Sequence, residues 1–198
     1  MCIYLSENKR CAMIAIAGNS SGLRIKSCGR SHTMKEITCE ELNENAFDLI
    51  GKDWMLFTAK KDGKVNTMTA SWGGVGVMWG KKVAFLFIRP QRYTKEFVVA
   101  SDELSISILP EKYRKELNYF GTVSGREEDK IQKSGLEIAE CDGVPYFKEA
   151  RLAFICKKLY KQDLKEECFI GKENVERWYQ NKDFHAMYVV EIEKVLSE

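Results

Sequence analysis

The apolar run from Val83 to Ile88 constrains the fold of this chain more than any other stretch. A short run of this kind, bounded by turn residues, is typical of a β-strand buried on both faces. The glycine-rich segment before it reads as a strand, and Gly80-Lys81 is expected to join the two in a hairpin. This glycine-rich strand covers residues 74–79, and the sequence predicts further strands at residues 53–60, 65–69, 103–109, 151–160 and 186–192.

Helical patterns are inserted between the strands and do not alternate with them. Thr38 and Glu41 have capping-box spacing, Ser124 is a candidate helix cap, and Gly135 is a candidate helix end. The predicted helices cover residues 38–50, 93–100, 111–120, 126–134 and 174–179. Strands at short spacing with inserted helices favour a mainly β fold, a barrel with appended helices, over a parallel sheet built from alternating strands and helices.

Composition excludes several classes of protein. Of the 198 residues, 44% are hydrophobic and 30% charged, and no apolar run approaches the ~18 residues of a membrane helix. The net charge of +2 supplies no basic field for nucleic acid or anionic lipid. We therefore expect a single globular domain that binds neither nucleic acid nor membrane, with any anion held by a local site.

The cysteines and histidines predict neither a disulfide framework nor a metal site. The seven cysteines are scattered without a Cys-x-x-Cys pair, and there are only two histidines. This pattern favours reduced cysteines and a cytoplasmic protein. Residues 1–33 differ in character from the rest, and Ala15-Ile16-Ala17 resembles a signal-peptide cleavage site behind a short apolar run. We expect residues 1–33 to be a disordered or non-native extension and residues 34–198 to form the domain.

The segment Arg89-Pro-Gln-Arg-Tyr-Thr94 is the strongest candidate for an anion site. It follows a buried strand and leads into a predicted helix. Arginine offers two parallel hydrogen bonds to a phosphate, and backbone N–H groups at a helix start add donors. In isolation, the same pattern also fits a strand exit with two solvated arginines.

Small hydroxyl residues and a tryptophan fill Asn66-Thr-Met-Thr-Ala-Ser-Trp72-Gly-Gly74. Such residues let a backbone approach a ligand closely, and Trp72 could flank an aromatic ring. The alternative is a β-turn with an anchoring tryptophan.

Two later segments are weaker candidates. In Gly121-Thr-Val-Ser-Gly-Arg126-Glu-Glu-Asp-Lys130, Arg126 could contact a second anionic group, such as a nucleotide diphosphate, but the chemistry of the segment favours a helix cap with acidic residues in the first turn. His185 precedes the last predicted strand, and a lone histidine is more often structural than catalytic. No catalytic triad is present in the sequence pattern.

Taken together, these motifs resemble the flavin reductase-like FMN-binding split-barrel family, especially its flavoredoxin-like branch. The resemblance rests on Asn66 to Gly73, the strand ending in Arg89 to Thr94, Gly121 to Lys130, and His185-x-Met-Tyr188, in that order. It covers roughly residue 34 to the C-terminus and implies an FMN-binding split β-barrel, working as a homodimer with FMN in a groove between subunits.

The resemblance also implies roles for individual residues. Arg89, Gln91, Arg92, Tyr93 and Thr94 would surround the FMN phosphate. His185 and Arg126 would lie near the open flavin face or the electron donor. The ribityl chain and ring would be lined by Thr67, Met68, Thr69, Ala70, Ser71 and Trp72.

The function implied is an FMN-dependent oxidoreductase that takes electrons from NADH or NADPH and passes them to flavin or a small acceptor. Two alternatives remain open at this stage. One is a flavoredoxin-type electron-transfer protein reduced by a protein partner, and the other is a barrel with a sensing or storage role.

Overall fold

A computed structural model describes residues 34–198, so the predictions for residues 1–33 lie outside the described residues. The strands are β1 Lys35–Ile37, β2 Met55–Lys61, β3 Lys64–Ala70, β4 Gly73–Met78, β5 Lys81–Ile88, β6 Glu103–Ile108, β7 Ile138–Cys141, β8 Val144–Phe147, β9 Leu152–Asp163 and β10 Ala186–Ser197. The α-helices are α1 Thr94–Ala100, α2 Arg114–Thr122, α3 Lys130–Ser134 and α4 Lys172–Trp178.

In this part of the chain, one antiparallel sheet of eight strands dominates the fold. Seven strands follow the order β3-β2-β6-β9-β10-β5-β4, and β1 pairs with the C-terminal end of β10. The remaining strands, β7 and β8, form a separate hairpin. The arrangement confirms the prediction of a mainly β split barrel with appended helices. None of the described helices is long and apolar enough to cross a membrane.

The core consists of two clusters on opposite sides of the sheet. One cluster includes Phe57, Leu86 and Tyr188 from the central strands. The other packs α2 and the β7–β8 hairpin against the sheet through Phe120 and Phe147, whose ring centroids are 5.4 Å apart. In β5, Val83, Ala84, Leu86 and Ile88 are buried while Phe85 and Phe87 are half-buried, as expected of a strand covered on both faces.

The turn that joins β2 to β3 agrees with the sequence pattern. The turn between β4 and β5 is formed by Trp79-Gly80 and not by the predicted Gly80-Lys81, because Lys81 already belongs to β5, where it pairs with Met78 of β4. Asp62 and Gly63 between β2 and β3 both have positive φ, as do Trp79 and Gly80 between β4 and β5. A pair of positive φ values matches the right-handed twist of a two-residue hairpin, and glycine adopts it without strain. Gly135 ends α3 with φ of 74°, which confirms its predicted role.

The predicted helix over residues 38–50 is wrong. The Thr38–Glu41 capping box forms, but it leads only into a single turn at Cys39–Glu41, and one π-helical turn follows at Asp48–Lys52. Between them, the Asn45 side chain accepts a hydrogen bond from the backbone N–H of Phe47 at 2.9 Å. Local bonds of this kind compete with a continuous helix, and Phe47, which the helix would have buried, is 88% exposed.

The predicted helix over residues 126–134 is shortened. It begins at Lys130, and its cap is Asp129, whose carboxylate accepts a bond from the Gln132 N–H at 3.0 Å. Ser124 instead accepts a bond from the Arg126 N–H in the preceding turn. The sequence pattern also did not predict β1 or the β7–β8 hairpin, and it ended β9 and β10 too early.

Candidate functional site

Two adjoining cavities lie where the ends of β3 and β5 meet α1, α4 and the loop before α3. The first, here called the aromatic cavity, has a volume of about 240 Å³ and is lined by Met68, Thr69, Ala70, Ser71, Trp72, Phe87, Arg89, Arg92, Trp178 and His185. The second, the cationic cavity, has a volume of about 340 Å³ and is lined by Met68, Arg89, Gln91, Arg92, Tyr93, Thr94, Thr122, Val123, Ser124, Gly125 and Lys130. Their shared residues make them one continuous cleft.

Flat side chains give the aromatic cavity its character. Trp72 and Trp178 meet edge to face with ring centroids 5.0 Å apart, and both are more than a third exposed. The His185 ring lies 5.1 Å from Trp72 at an angle of 40°. Phe87 from β5 meets His185 edge to face at 6.5 Å. This geometry suits a flat ring that needs apolar contact and a few polar neighbours.

His185 is buried and neutral at ordinary pH. Burial, together with the nearby Arg89 guanidinium, lowers its pKa to about 4. Its Nδ1 atom lies 2.8 Å from the hydroxyl oxygen of Tyr179. The sequence pattern favoured a structural role for a lone histidine, but the structure places this one in the wall of the cavity.

Arg89 sits between the two cavities but is already paired. Its guanidinium donates to Asp183 at 2.5 Å and to the Trp178 carbonyl at 2.9 Å. Gln91 donates to the same Asp183 oxygen at 2.7 Å. Because Asp183 neutralises much of its charge, Arg89 contributes little net positive charge to the cleft. The same contacts hold the end of α4 and the segment before β10 against β5.

Arg92 and Lys130 carry the uncompensated positive charge of the site. Arg92 donates to the Gly121 carbonyl at 2.5 Å, and Lys130 donates to the carbonyls of Phe120 and Val123 at 3.0 and 3.1 Å. Neither has a carboxylate partner in the described part of the chain. Burial lowers the pKa of both side chains, and a neighbouring arginine adds to the effect in each case; the pKa of Lys130 falls to about 8. Two unpaired, partly desolvated cations facing one cavity favour an anion there.

Most of the predicted hydroxyl donors are engaged elsewhere. Thr67 lines neither cavity, and its buried hydroxyl donates to the Phe57 carbonyl at 3.1 Å. Thr94 donates to the Thr67 carbonyl at 2.9 Å, and Thr69 donates to the Leu117 carbonyl. These threonines shape the cleft and hold β3 to α1 and α2. Ser71 is exposed at the rim of the aromatic cavity.

Arg126 lies outside both cavities. Its guanidinium donates to Glu96 at 2.5 Å and to the Gln91 carbonyl at 3.2 Å, and it covers the Tyr93 ring at 4.7 Å. Tyr93 in turn packs edge to face on Phe97. Arg126 therefore supports the wall of the cationic cavity from behind, and the structure does not bring it together with His185.

Sequence reasoning missed Lys130, Trp178, Phe87 and Asp183. Lys130 belonged to the motif that carried the family resemblance, but a lysine in a charged segment gives no sign of being 4% exposed. Trp178 is the last residue of α4, where the sequence favoured only a charged helix, and Asp183 lies in the connection from α4 to β10. Their approach to Arg89 depends on tertiary contacts across roughly ninety positions.

The fold defines a class of protein, the split β-barrels, and the cleft of this one places cationic side chains beside flat aromatic ones. The match to a family model is specific. Residues 48–196 match the flavin reductase like domain, so the chain belongs to that family. Comparison with curated protein sequences found no match.

Solved structures of similar fold include flavoredoxins and FMN-binding proteins. Flavoredoxin from Methanosarcina acetivorans is 23% identical, with a TM-score of 0.57, over 74% of this chain and 68% of that one. The FMN-binding domain of a flavin reductases-like enzyme from Shewanella baltica is 16% identical, with a TM-score of 0.61, over 83% and 77%. An FMN-binding protein from Thermus thermophilus, with bound p-hydroxybenzaldehyde, is 20% identical, with a TM-score of 0.57, over 73% and 71%.

Proposed function

We propose that the chain binds FMN, with the phosphate in the cationic cavity and the ring in the aromatic cavity. The observation that carries this proposal is the pair Arg92 and Lys130, whose positive charges face the cleft without a carboxylate partner among the described residues. The donor set fits the group: every lining residue of the cationic cavity is neutral or cationic. The adjoining tryptophans and His185 suit an isoalloxazine ring.

We further propose that the protein is an oxidoreductase of the NAD(P)H-dependent flavin reductase type, passing electrons to flavin or a small acceptor. Bound FMN would supply the hydride and electron chemistry, which explains why the cleft needs no side-chain nucleophile. Arg92 and Lys130 bind the phosphate, and Trp72, Trp178 and His185 orient the ring and limit its contact with water.

A second candidate function is a flavoredoxin-type electron carrier reduced by a protein partner. One contact favours it: Arg126, expected to receive the diphosphate of a nicotinamide nucleotide, is paired with Glu96 and lines neither cavity. The protein named flavoredoxin from Methanosarcina acetivorans supports the same alternative.

Stopped-flow spectroscopy separates the two functions. The purified protein, reconstituted with FMN under anaerobic conditions, is mixed with NADH and then with NADPH. The reductase proposal predicts that one of them bleaches the flavin bands on a catalytic timescale. Slow or absent bleaching with both donors would favour the carrier. No flavin bands after reconstitution would contradict both.

The Arg92→Ala substitution tests the phosphate site directly. Removing a charged donor is expected to weaken FMN binding about ten- to a hundredfold, because hydrogen bonds to charged groups contribute about 1.5–3 kcal/mol. Riboflavin, which lacks the phosphate, is expected to lose little. The matched control is Lys133→Ala, which removes an exposed cation of α3 that is paired with Glu128 in the loop before that helix. Fluorescence titration measures both, and equal losses for FMN and riboflavin would remove Arg92 from the phosphate site.

We also propose a homodimer and a cytoplasmic location. The apolar side chains of Val77 and Trp79, 67% and 58% exposed, support a second copy packed along β4. The four cysteines of the described residues are free thiols, in keeping with a reducing compartment.

A further inference from the structure

Tyr179 is held rigidly behind the aromatic cavity. It follows α4, its N–H donates to the Val175 carbonyl at 2.9 Å, and its side chain is buried. Its ring stacks on Phe184 at 4.8 Å and an angle of 24°, and Arg89 covers it at 5.3 Å. These contacts fix the ring so that its hydroxyl group lies against the imidazole of His185.

The Tyr179 hydroxyl decides which nitrogen of His185 carries the proton. Nδ1 of His185, 2.8 Å away, is the only acceptor in range of this hydroxyl among the described residues. If Nδ1 carried the proton, the buried O–H would have no acceptor, at a cost of about 1–3 kcal/mol. Tyr179 therefore donates to Nδ1, and the neutral imidazole carries its proton on Nε2.

The other nitrogen of His185 faces the cavity. Nε2 has no hydrogen-bond partner in residues 34–198. It keeps some solvent-accessible surface, because the unpaired polar atoms in these residues that are inaccessible to solvent do not include it. His185 itself lines the aromatic cavity beside Trp72 and Phe87. Its backbone is also fixed, since its carbonyl accepts a bond from the Leu164 N–H at 2.9 Å.

We propose that Tyr179 is a positioning residue that holds His185 as the Nε2–H tautomer, so that the cleft offers a single N–H donor to a carbonyl or ring-nitrogen acceptor of a bound heteroaromatic ring. The tautomer follows from this chain alone. The role toward a ring rests on the proposed function, and the acceptor belongs either to the flavin or to a nicotinamide carboxamide.

Nitrogen-15 NMR of the ligand-free protein tests the tautomer. His32 is the only other histidine, so a His32→Gln variant assigns the signals of His185. The wild type is expected to show one neutral tautomer, with the proton on Nε2. Tyr179→Phe is expected to introduce a measurable fraction of the Nδ1–H form. Tyr188→Phe is the matched control, because it removes a buried hydroxyl that has no hydrogen-bond partner within residues 34–198. A wild-type Nδ1–H form, or no change in Tyr179→Phe, would overturn the proposal.

A pair of amide substitutions tests the donor role. Glutamine places its NH₂ group near the position of Nε2, whereas asparagine reaches only as far as Nδ1. We expect His185→Gln to bind FMN within about threefold of the wild type and His185→Asn to bind about tenfold more weakly, a loss of roughly 1.4 kcal/mol. Equal FMN affinities but a raised KM for NADH or NADPH in His185→Asn would assign the acceptor to the nicotinamide. Equal values for both ligands would overturn the donor role.

The two proposals fail in different ways. If the wild type binds no FMN while its NMR spectrum shows the Nε2–H tautomer, the proposed function is wrong and the Tyr179–His185 arrangement stands. If FMN binds but the Nε2–H tautomer is absent, the proposed function stands and the Tyr179–His185 proposal is wrong.

Discussion

At the scale of single residues, Lys130 has the least ordinary environment in the cleft. Within the part of the chain that the structure describes, its amine is bonded only to backbone carbonyls, and it shares the cationic cavity with Arg92. Burial lowers its pKa from the usual 10.5 to about 8. The unfolded chain therefore binds more protons between these two values, and the stability of the ligand-free protein rises with pH across that window. A bound phosphate would reverse this shift, because it favours the charged amine.

FMN affinity is accordingly expected to depend on pH through Lys130. It should stay nearly constant from pH 7 to 8 and fall above pH 8, by up to about tenfold per pH unit, because binding then requires uptake of a proton. Fluorescence titrations between pH 7 and 9 measure the effect. Lys130→Met should bind more weakly at pH 7 and lose the dependence. A wild-type affinity that is flat to pH 9 would contradict the charged role of Lys130.

His185 predicts an effect on stability in the acid range. Its pKa is lowered from 6.5 to about 4, so the unfolded chain takes up a proton that the folded chain refuses. Stability is complete above about pH 6.5 and is lost as the pH falls toward 4. Between pH 7.5 and 5 this group should cost about 2 kcal/mol. Urea unfolding of the wild type and of His185→Gln at both pH values isolates the contribution of His185 to the free energy of unfolding. The same pH dependence in both proteins would refute this prediction.

At the scale of elements, the loop before α3 fits tightly against β3 and the start of α1. A Cβ atom at Gly125 would lie 2.5 Å from Asn66 Oδ1 and 3.1 Å from the Tyr93 ring. Asn66 has little room to move, because it is buried and its amide donates to Thr94 at 3.0 Å. Glycine is therefore required where these three elements close the cationic cavity.

Gly125→Ala is expected to destabilise the protein by about 1–3 kcal/mol and to weaken FMN binding, because the loop that carries Lys130 must shift. Gly51→Ala is the matched control: a Cβ there meets nothing within 4 Å. That change should be neutral or stabilise by about 0.4–1 kcal/mol. Thermal unfolding and FMN titration measure both variants, and similar behaviour of the two would show that the close approach is unimportant.

The β7–β8 hairpin shows why the packing of one element on another was not predicted from the sequence. Ser105 and Ser107 alternate with apolar residues in β6, a pattern typical of a solvent-facing side. Both are in fact buried: Ser105 donates to the Pro145 carbonyl at 2.6 Å, and Ser107 accepts from the Phe147 N–H at 3.3 Å. The hairpin covers that face, and nothing local to β6 indicates it.

At the scale of the whole molecule, the proposed homodimer is tested through β4. This strand ends the path of the sheet and exposes Val77. Val77→Lys is expected to convert a dimer into monomers in analytical ultracentrifugation, because a charge would be buried in the contact. Val99→Lys, on the exposed face of α1, should leave the dimer intact. A wild-type monomer that binds FMN tightly would contradict a shared groove.

The sequence by itself determined the strand-rich class, the turn between β2 and β3, the end of α3 and the segments around Trp72 and Arg92 that line the cleft. Periodicity and positive φ at glycine are local properties, so they can be recognised without the fold. Only the tertiary structure decided that Arg89 is paired with Asp183, that Lys130 is buried with no carboxylate partner among residues 34–198, and that Tyr179 reaches His185. Charge, protonation and free donors depend on which distant segments meet, and that information is not carried by any one stretch of the chain.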